Sequence, residues 1–161
     1  MPTAQALQPV ASDLDDRSLR AAFGRFATGV AFVTAEIDGT PLGLIVSSFA
    51  AVSLQPPLVS FCPSRHSITW QRMRHAGRCT INIVAARHAN FARNAASPGA
   101  DRFAEPDVLR DALAAIDCDL EAEHAAGDHW IVVGRVRRLR VSADAQPLVY
   151  FAGRFGDFQT H

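Results

Sequence analysis

A chain of 161 residues, 48% hydrophobic and 20% charged, is long enough to close one core of its own and too apolar to stay disordered. Sixteen basic side chains meet sixteen acidic ones, and this zero net charge speaks against nucleic acid or an anionic membrane as the main partner. Every basic residue is arginine, so any phosphate must be held by guanidinium or backbone N–H groups.

Residues 1–12 show no period and read as a loose, flexible tail, which leaves 13–161 as a single domain. The tail has neither the charged nor the apolar region of a signal peptide, and no run approaches the ~18–20 apolar residues of a membrane span. The expected compartment is therefore the cytoplasm. Asp15 and Asp16 suit a helix start, and Leu19, Ala22, Phe23 and Phe26 follow at one-face spacing, with Gly29 as the stop. Val30 to Ile37 and Leu42 to Val46 read as strands joined by the hairpin signal Asp38-Gly39. Ser47 to Leu54 leads into Gln55-Pro56-Pro57, expected to break the ladder before a short buried strand, Leu58 to Cys62. Residues 66–76 look helical, Arg78 to Val84 a strand, 87–95 a second short helix, and Ser97 to Asp107 a polar loop. Ile116, Cys118, Leu120 and Ala122 then alternate with Asp117, Asp119, Glu121 and Glu123, one face buried and the other wet. Gly127-Asp128 turns the chain into a partner strand, Trp130 to Val136, whose apolar phase slips near Arg137-Arg138 as it would at a bulge. Pro147 to Ala152 supplies a last strand. Seven or eight strands with three short helices make a mainly β chain, and closure into a barrel with helices over its openings would leave no edge exposed.

The three cysteines, Cys62, Cys79 and Cys118, are odd in number, widely spaced and set among apolar residues. Buried thiols in a reducing compartment fit them better than disulfides or metal ligands. The histidines lack metal-ligand spacing, and no G-x-S-x-G, P-loop or Rossmann G-x-G-x-x-G occurs. The acidic residues fall on wet faces, with no paired-carboxylate centre among them.

Four segments remain. Val46-Ser47-Ser48 through Ser53-Leu54 offers hydroxyls and unhindered N–H groups near a strand end, suited to a phosphate or to the polar edge of a ring system, or simply to water. Ser64-Arg65-His66-Ser67 opens a helix, where the N–H groups, the dipole and Arg65 favour an anion, although a plain cap alone explains the segment. Asp101-Arg102-Phe103 sets a guanidinium beside an aromatic plane in the long loop, or forms a surface ion pair. Gly127-Asp128-His129 is ordinary turn chemistry that also places a histidine at a strand's first position.

Taken together, these segments resemble the flavin reductase-like family, small NAD(P)H:flavin oxidoreductases that feed two-component monooxygenases. The matching pieces run in order: Phe26-Ala27-Thr28-Gly29-Val30, Gly43 to Pro57, Ile81-Asn82-Ile83, Asp101-Arg102-Phe103, Gly127-Asp128-His129 and Pro147 to Gly153. The resemblance implies an FMN-binding split β-barrel of Greek-key type, homodimeric, with a flavin (FMN or FAD) near the dimer interface and NADH or NADPH as hydride donor. It implies that Ser47 and Ser48, beside Val46, lie against the flavin ring and present donors to its polar edge. Ser53, Arg65, His66 and Ser67 are expected near the phosphate. His129, as the catalytic position, Tyr150, Phe151 and Gly153 are associated with the nicotinamide. Thr28, Asn82, Arg102 and Phe103 complete the expected cofactor contacts. Ile45, Gln55 and Phe155 depart from the family's usual threonine, aspartate and tyrosine. A flavin-dependent monooxygenase is the implied partner. An oxidase of the pyridoxamine-phosphate type, a non-catalytic flavin carrier and a barrel that binds nothing are the competing readings.

Overall fold

A computed structural model describes residues 14–142 and 146–158, so the expected tail at 1–12 lies outside the described residues. Strands β1 (Thr28–Gly29), β2 (Ala31–Ile37), β3 (Thr40–Val46), β4 (Ala50–Leu54), β5 (Pro57–Phe61), β6 (Arg78–Ile83), β7 (Ala114–Ala126), β8 (His129–Val141), β9 (Leu148–Phe151) and β10 (Arg154–Asp157) are all paired antiparallel. Seven of them form one sheet in the order β3-β2-β6-β7-β8-β5-β4, and β1-β9-β10 form a smaller one. Among the described residues four short α-helices accompany them: α1 (Asp16–Phe23), α2 (Ile68–Met73), α3 (Ala89–Ala95) and α4 (Asp107–Arg110). No helix among the described residues is long and apolar enough to cross a membrane.

Register begins at the β2–β3 hairpin. Asp38 and Gly39 both take positive φ, 51° and 74°, the mirror-image turn whose twist matches the flanking strands, and Ile37 pairs with Thr40. The large sheet then curls, so that Leu44 and Val46 of β3 share one core with Val59 and Phe61 of β5 and Val132 of β8. From α2, Trp70 and Met73 fill this core, the Trp70 ring standing perpendicular to Phe61 at 5.3 Å. Full burial of a side chain such as Phe61 stabilises the fold by about 1.5–3 kcal/mol. On the opposite face, Phe32 packs beneath Phe91, Ala92 and Ala95 of α3, Val108 of α4 and Leu148 of β9.

The ladder does not close into the expected barrel: β3 and β4 are its edges. Closure would need a partner for β4, yet Ala50, Ala51, Val52 and Leu54 are all exposed. Other expectations shift for local reasons. The first helix stops at Phe23 under a Gly24 cap rather than at Gly29, which lies in β1, and its apolar stripe is uncovered, Phe23 and Phe26 being 71% and 78% exposed. The expected helix at 66–76 is α2 followed by a 3₁₀ turn, and that at 87–95 is a 3₁₀ turn followed by α3. Pro57 opens β5 opposite Leu54, so the Gln55-Pro56-Pro57 stretch makes the corner of a hairpin. The short β1 and the terminal β10 escape a reading that needs alternating apolar residues, as does α4 at the end of the polar loop.

The bulge at Arg137 is where the phase slip puts it: Asp117 faces Arg138 while Cys118 faces Val136. A second bulge at Glu121, between the pairs Leu120–Gly134 and Ala122–Val133, was not expected. It turns Glu123 opposite the fully buried Val132, so this acid is half-buried and ion-paired with Arg74 instead of lying on the wet face. Asp117, Asp119 and Glu121 stay outside, paired with Arg138, Arg137 and Arg135.

Candidate functional site: two adjoining clefts at the end of β3

Beyond Val46 the chain leaves the sheet edge, and two clefts meet there. The inner one, about 550 Å³, is walled by Leu44 to Ser48, Cys62 to Ser64, Ser67, Thr69, Ala95, Ala96, Arg102 and His129. The outer one, about 700 Å³, is walled by Val30, Arg93, Tyr150, Gly153, Arg154 and Phe155. Ile45, Ser47 and Ala96 line both, so the two form one trough divided by a low ridge. A third hollow of about 590 Å³ lies on the outside of the sheet over Thr80, Asp117 and Asp119. Its polar groups satisfy one another: Thr80 donates to Asp117 at 2.7 Å and Arg137 to Asp119 at 2.6 Å.

Of the residues singled out in the sequence, Val46, Ser47, Ser48, Ser67, Arg102 and His129 gather in the inner cleft. Tyr150 and Gly153 line the outer one. The Ser48 hydroxyl is committed to the fold, accepting from the Cys62 N–H at 2.8 Å, so what this corner offers as donors is backbone. The N–H groups of Ser47, Ser48 and Phe49 have no backbone acceptor among the described residues. Ser67 caps α2 by accepting from the Trp70 N–H at 3.1 Å. Arg102 spends its Nε on the Ala95 carbonyl at 2.9 Å, which ties the long loop to the end of α3.

The remaining candidates lie elsewhere. Arg65 is drawn to the tip of the β7–β8 hairpin, donating to the Gly127 carbonyl at 3.2 Å with its Cζ 5.2 Å from the Trp130 ring. It does not line either cleft, and His66 beside it is exposed. Ser53 follows a bulge in β4 and lines no cleft either. Asn82 is 3% exposed and its amide donates to the Phe32 carbonyl at 3.0 Å, a structural bond between β6 and β2. Phe103 leaves Arg102 to pack on Phe32 at 5.6 Å, and Asp101 accepts from the Phe103 N–H instead of pairing with Arg102. Thr28 in β1 is half-buried, its buried hydroxyl oxygen without a partner among the described residues, and Phe151 turns to a separate surface groove with Ala27 and Asp157.

His129 owes its place to the hairpin tip. Ser64 bridges to it, Arg65 N–H donates to the Asp128 carbonyl at 2.9 Å, and Trp130 N–H donates to the Pro63 carbonyl at 2.9 Å. Trp130 itself is gripped by Arg65 and Arg74, each Cζ 5.2 Å from its ring. The His129 Nδ1 lies 2.8 Å from the Asp128 carboxylate. That hydrogen bond lowers the Asp128 carboxyl below the usual range. An ionised carboxylate only accepts, so Nδ1 carries the proton and Nε2 is the ring's acceptor.

Sequence reasoning missed Cys62, Thr69, Ala95, Ala96, Arg93 and Arg154 as wall residues. Only the small Ala95-Ala96 pair at a helix end carried a signal, since a wall that admits a flat ring favours small side chains. Burial pushes the Cys79 thiol up to about 12 and the Cys118 thiol up to about 11, whereas Cys62 is half-buried in the cleft wall. A thiol reagent should therefore label Cys62 in the native protein well before the other two. Mass mapping of the labelled cysteine checks this; equal rates at all three would contradict the placement.

Fold and clefts together define an antiparallel β protein with a two-part trough at one sheet edge. The profile of the flavin reductase like domain matches residues 23–159, and the chain belongs to this family. A flavin reductase from Pseudomonas putida is 36% identical over 166 residues, spanning 97% of this chain and 98% of the relative. The reductase subunit HsaB of a flavin-dependent monooxygenase from Rhodococcus jostii is 37% identical over 90% of this chain and 79% of its own length. Among solved structures, nitrilotriacetate monooxygenase component B from Mycobacterium thermoresistibile superposes with a TM-score of 0.85 at 33% identity, covering 91% of this chain and 88% of that one. The NADH:FAD oxidoreductase SgcE6 from Streptomyces globisporus, in complex with NAD and FAD fragments, also gives 0.85 at 29% identity, covering 94% and 98%.

Proposed function

We propose that the chain is the NAD(P)H:flavin reductase component of a two-component monooxygenase, reducing FMN or FAD for a separate oxygenase. The observation that carries this reading is the pair of clefts sharing the Ile45–Ser47 ridge, which lets two flat ligands meet face to face. The inner cleft fits a flavin by its donor set, since the N–H groups of Ser47 and Ser48, which line it, have no backbone acceptor among the described residues, where a ring's polar edge needs donors. When bound, a flavin supplies the hydride acceptor and a reduced nicotinamide the hydride.

The chain's own residues bind and orient. Ser47 and Ser48 hold the ring's acceptor edge through backbone N–H groups, while Leu44 and Val46 back the cleft with apolar wall. Arg102, tethered at Nε, and Ser67 stand where a negatively charged tail fits. His129 accepts through Nε2 from the nicotinamide carboxamide and sets the approach distance, and Tyr150 and Gly153 shape the donor's side of the ridge. Ile45, where a hydroxyl is usual in the family, gives this ridge an apolar crest.

A homodimer of split-barrel subunits fits the uncovered surface. Val52 and Leu54 on edge strand β4, Leu139 and Val141 on β8, and Phe23 and Phe26 by α1 are all more than half exposed. The free thiols suit a reducing cytoplasm.

The decisive experiment is anaerobic. The protein is mixed with NADH or NADPH and with FMN or FAD, and the absorbance of the reduced nicotinamide is followed. At least one pairing should turn over without oxygen; turnover only in air would favour an oxidase, and none in either would end the proposal. Bound flavin should also slow the labelling of Cys62, and a rate indifferent to flavin would move the ring out of the inner cleft.

A further inference from the structure

The trough is electrostatically one-sided. Among the described residues its two clefts carry Arg102, Arg93, Arg154 and His129 but no carboxylate, in a chain whose basic and acidic side chains are equal in number. Six arginines elsewhere are paired with acids: Arg74, Arg87, Arg110, Arg135, Arg137 and Arg138. Arg93 and Arg154, which line the outer cleft, have no carboxylate within ion-pair distance among the described residues. Two neighbouring guanidiniums without counter-charge repel each other, and a concave wall strengthens that repulsion by excluding water. An anionic ligand removes the penalty.

Aromatic surface lies beside them. Arg93 is held by Asn90 Oδ1 at 2.8 Å, with its Cζ 5.9 Å from the Phe155 ring. Phe155 in turn stands 5.2 Å from Tyr150 at a 53° tilt. Two guanidiniums next to two rings, in a hollow of about 700 Å³, combine phosphate recognition with a stacking surface for a base.

We propose that the outer cleft seats the adenosine diphosphate half of a dinucleotide, with Arg93 and Arg154 on the phosphates and the Tyr150–Phe155 pair against the adenine. The dinucleotide's identity rests on the reductase reading: the diphosphate belongs either to the nicotinamide donor or to FAD. Both present the same chemistry to the arginines, and the experiment separates them.

Binding is measured first, without turnover. ADP should bind the intact protein with an affinity that falls as salt rises, and Arg93→Ala and Arg154→Ala should each weaken it about tenfold, while adenosine is held equally by all three. Arg154→Lys, which keeps the charge, should restore most of the loss, and thermal melts confirm that each variant is folded. No ADP binding by the wild type, or equal binding by wild type and both alanine variants, overturns the proposal. Two ratios then assign the source. If the donor owns the diphosphate, the alanine variants raise the KM for NADH about tenfold more than that for reduced nicotinamide mononucleotide. If FAD owns it, they weaken FAD about tenfold more than FMN. A change in neither ratio also overturns the assignment. Should the protein oxidise no donor at all, the reductase reading falls, and the ADP titration still decides the cleft.

Discussion

Replacing His129 by alanine should raise the KM for the nicotinamide donor about tenfold while the flavin Kd stays within about twofold of wild type. Nothing in the proposed chemistry asks this ring to move a proton; it accepts one hydrogen bond and fixes an approach. Losing it therefore weakens donor binding more than it slows the bound complex. The alternative, a histidine that protonates the flavin, would instead show as a fall in kcat with a pH profile that vanishes in the variant.

The same measurement extends to Trp130, a positioning residue that touches neither ligand. Arg65 and Arg74 grip its ring, and its N–H is tied to Pro63, so the hairpin tip is held against residues 63–65 with His129 over the cleft. Trp130→Ala should raise the donor KM severalfold in the wild type and add little in a His129→Ala background, because both changes remove one hydrogen bond. Full additivity would show that Trp130 acts by another route. Acid should do what the substitution does. The Asp128 carboxyl is lowered by its bond to His129, so the clasp persists above the ordinary carboxylate range and is lost as pH falls through the lowered value. Donor KM should consequently be higher in acid than at neutrality, and Asp128→Ala should raise it at neutral pH, where the wild-type clasp is intact.

How much of this was readable from residues alone varies with the range of the contact involved. Asp38-Gly39 announces a hairpin because the turn is decided by two residues' φ angles, and the slip between Val136 and Leu139 announces a bulge because side-chain alternation is local. Glu121 gives no such warning. Its bulge leaves the alternation on β7 intact in sequence while reversing which face Glu123 occupies. The α1 stripe is correct as a period and misleading as a helix length, since Gly24 ends the helix before Phe26 and nothing among the described residues covers either phenylalanine.

The site divides in the same way. Ser47, Ser48, Ser67, Arg102 and His129 do converge, although they come from four separate stretches, because the family resemblance already encodes their meeting. Arg65 looked like a phosphate clamp for want of any sign that a tryptophan from a distant hairpin would claim it. Asn82 and Phe103, expected at the cofactor, bond β6 to β2 and pack on Phe32 respectively. Arg93 and Arg154 stand out in no motif, since their significance lies in having no carboxylate at ion-pair distance among the described residues.

Gly43→Ala should destabilise the protein by about 2–3 kcal/mol, lowering the melting temperature by about 5–10 °C. A Cβ at Gly43 would fall 2.4 Å from Cε2 and 2.6 Å from Cζ of Phe32, and 3.3 Å from Cζ of Phe103. Those ring atoms cannot retreat, because Phe32 is 1% exposed and wedged against Phe91 at 5.1 Å and Phe103 at 5.6 Å. The clash is also functional, since Gly43 lies two residues before Ile45 on the strand that forms the ridge between the clefts. Flavin affinity should accordingly drop with stability, whereas a core substitution on the far side, such as Met73→Ala, should lower the melting temperature and spare the affinity. Phe32→Leu, which shortens the obstructing side chain, should recover part of both losses in the double variant despite its own cost in burial. A Gly43→Ala protein that melts with the wild type would mean the ring has room to move, and the ridge would then not be held from beneath by this packing.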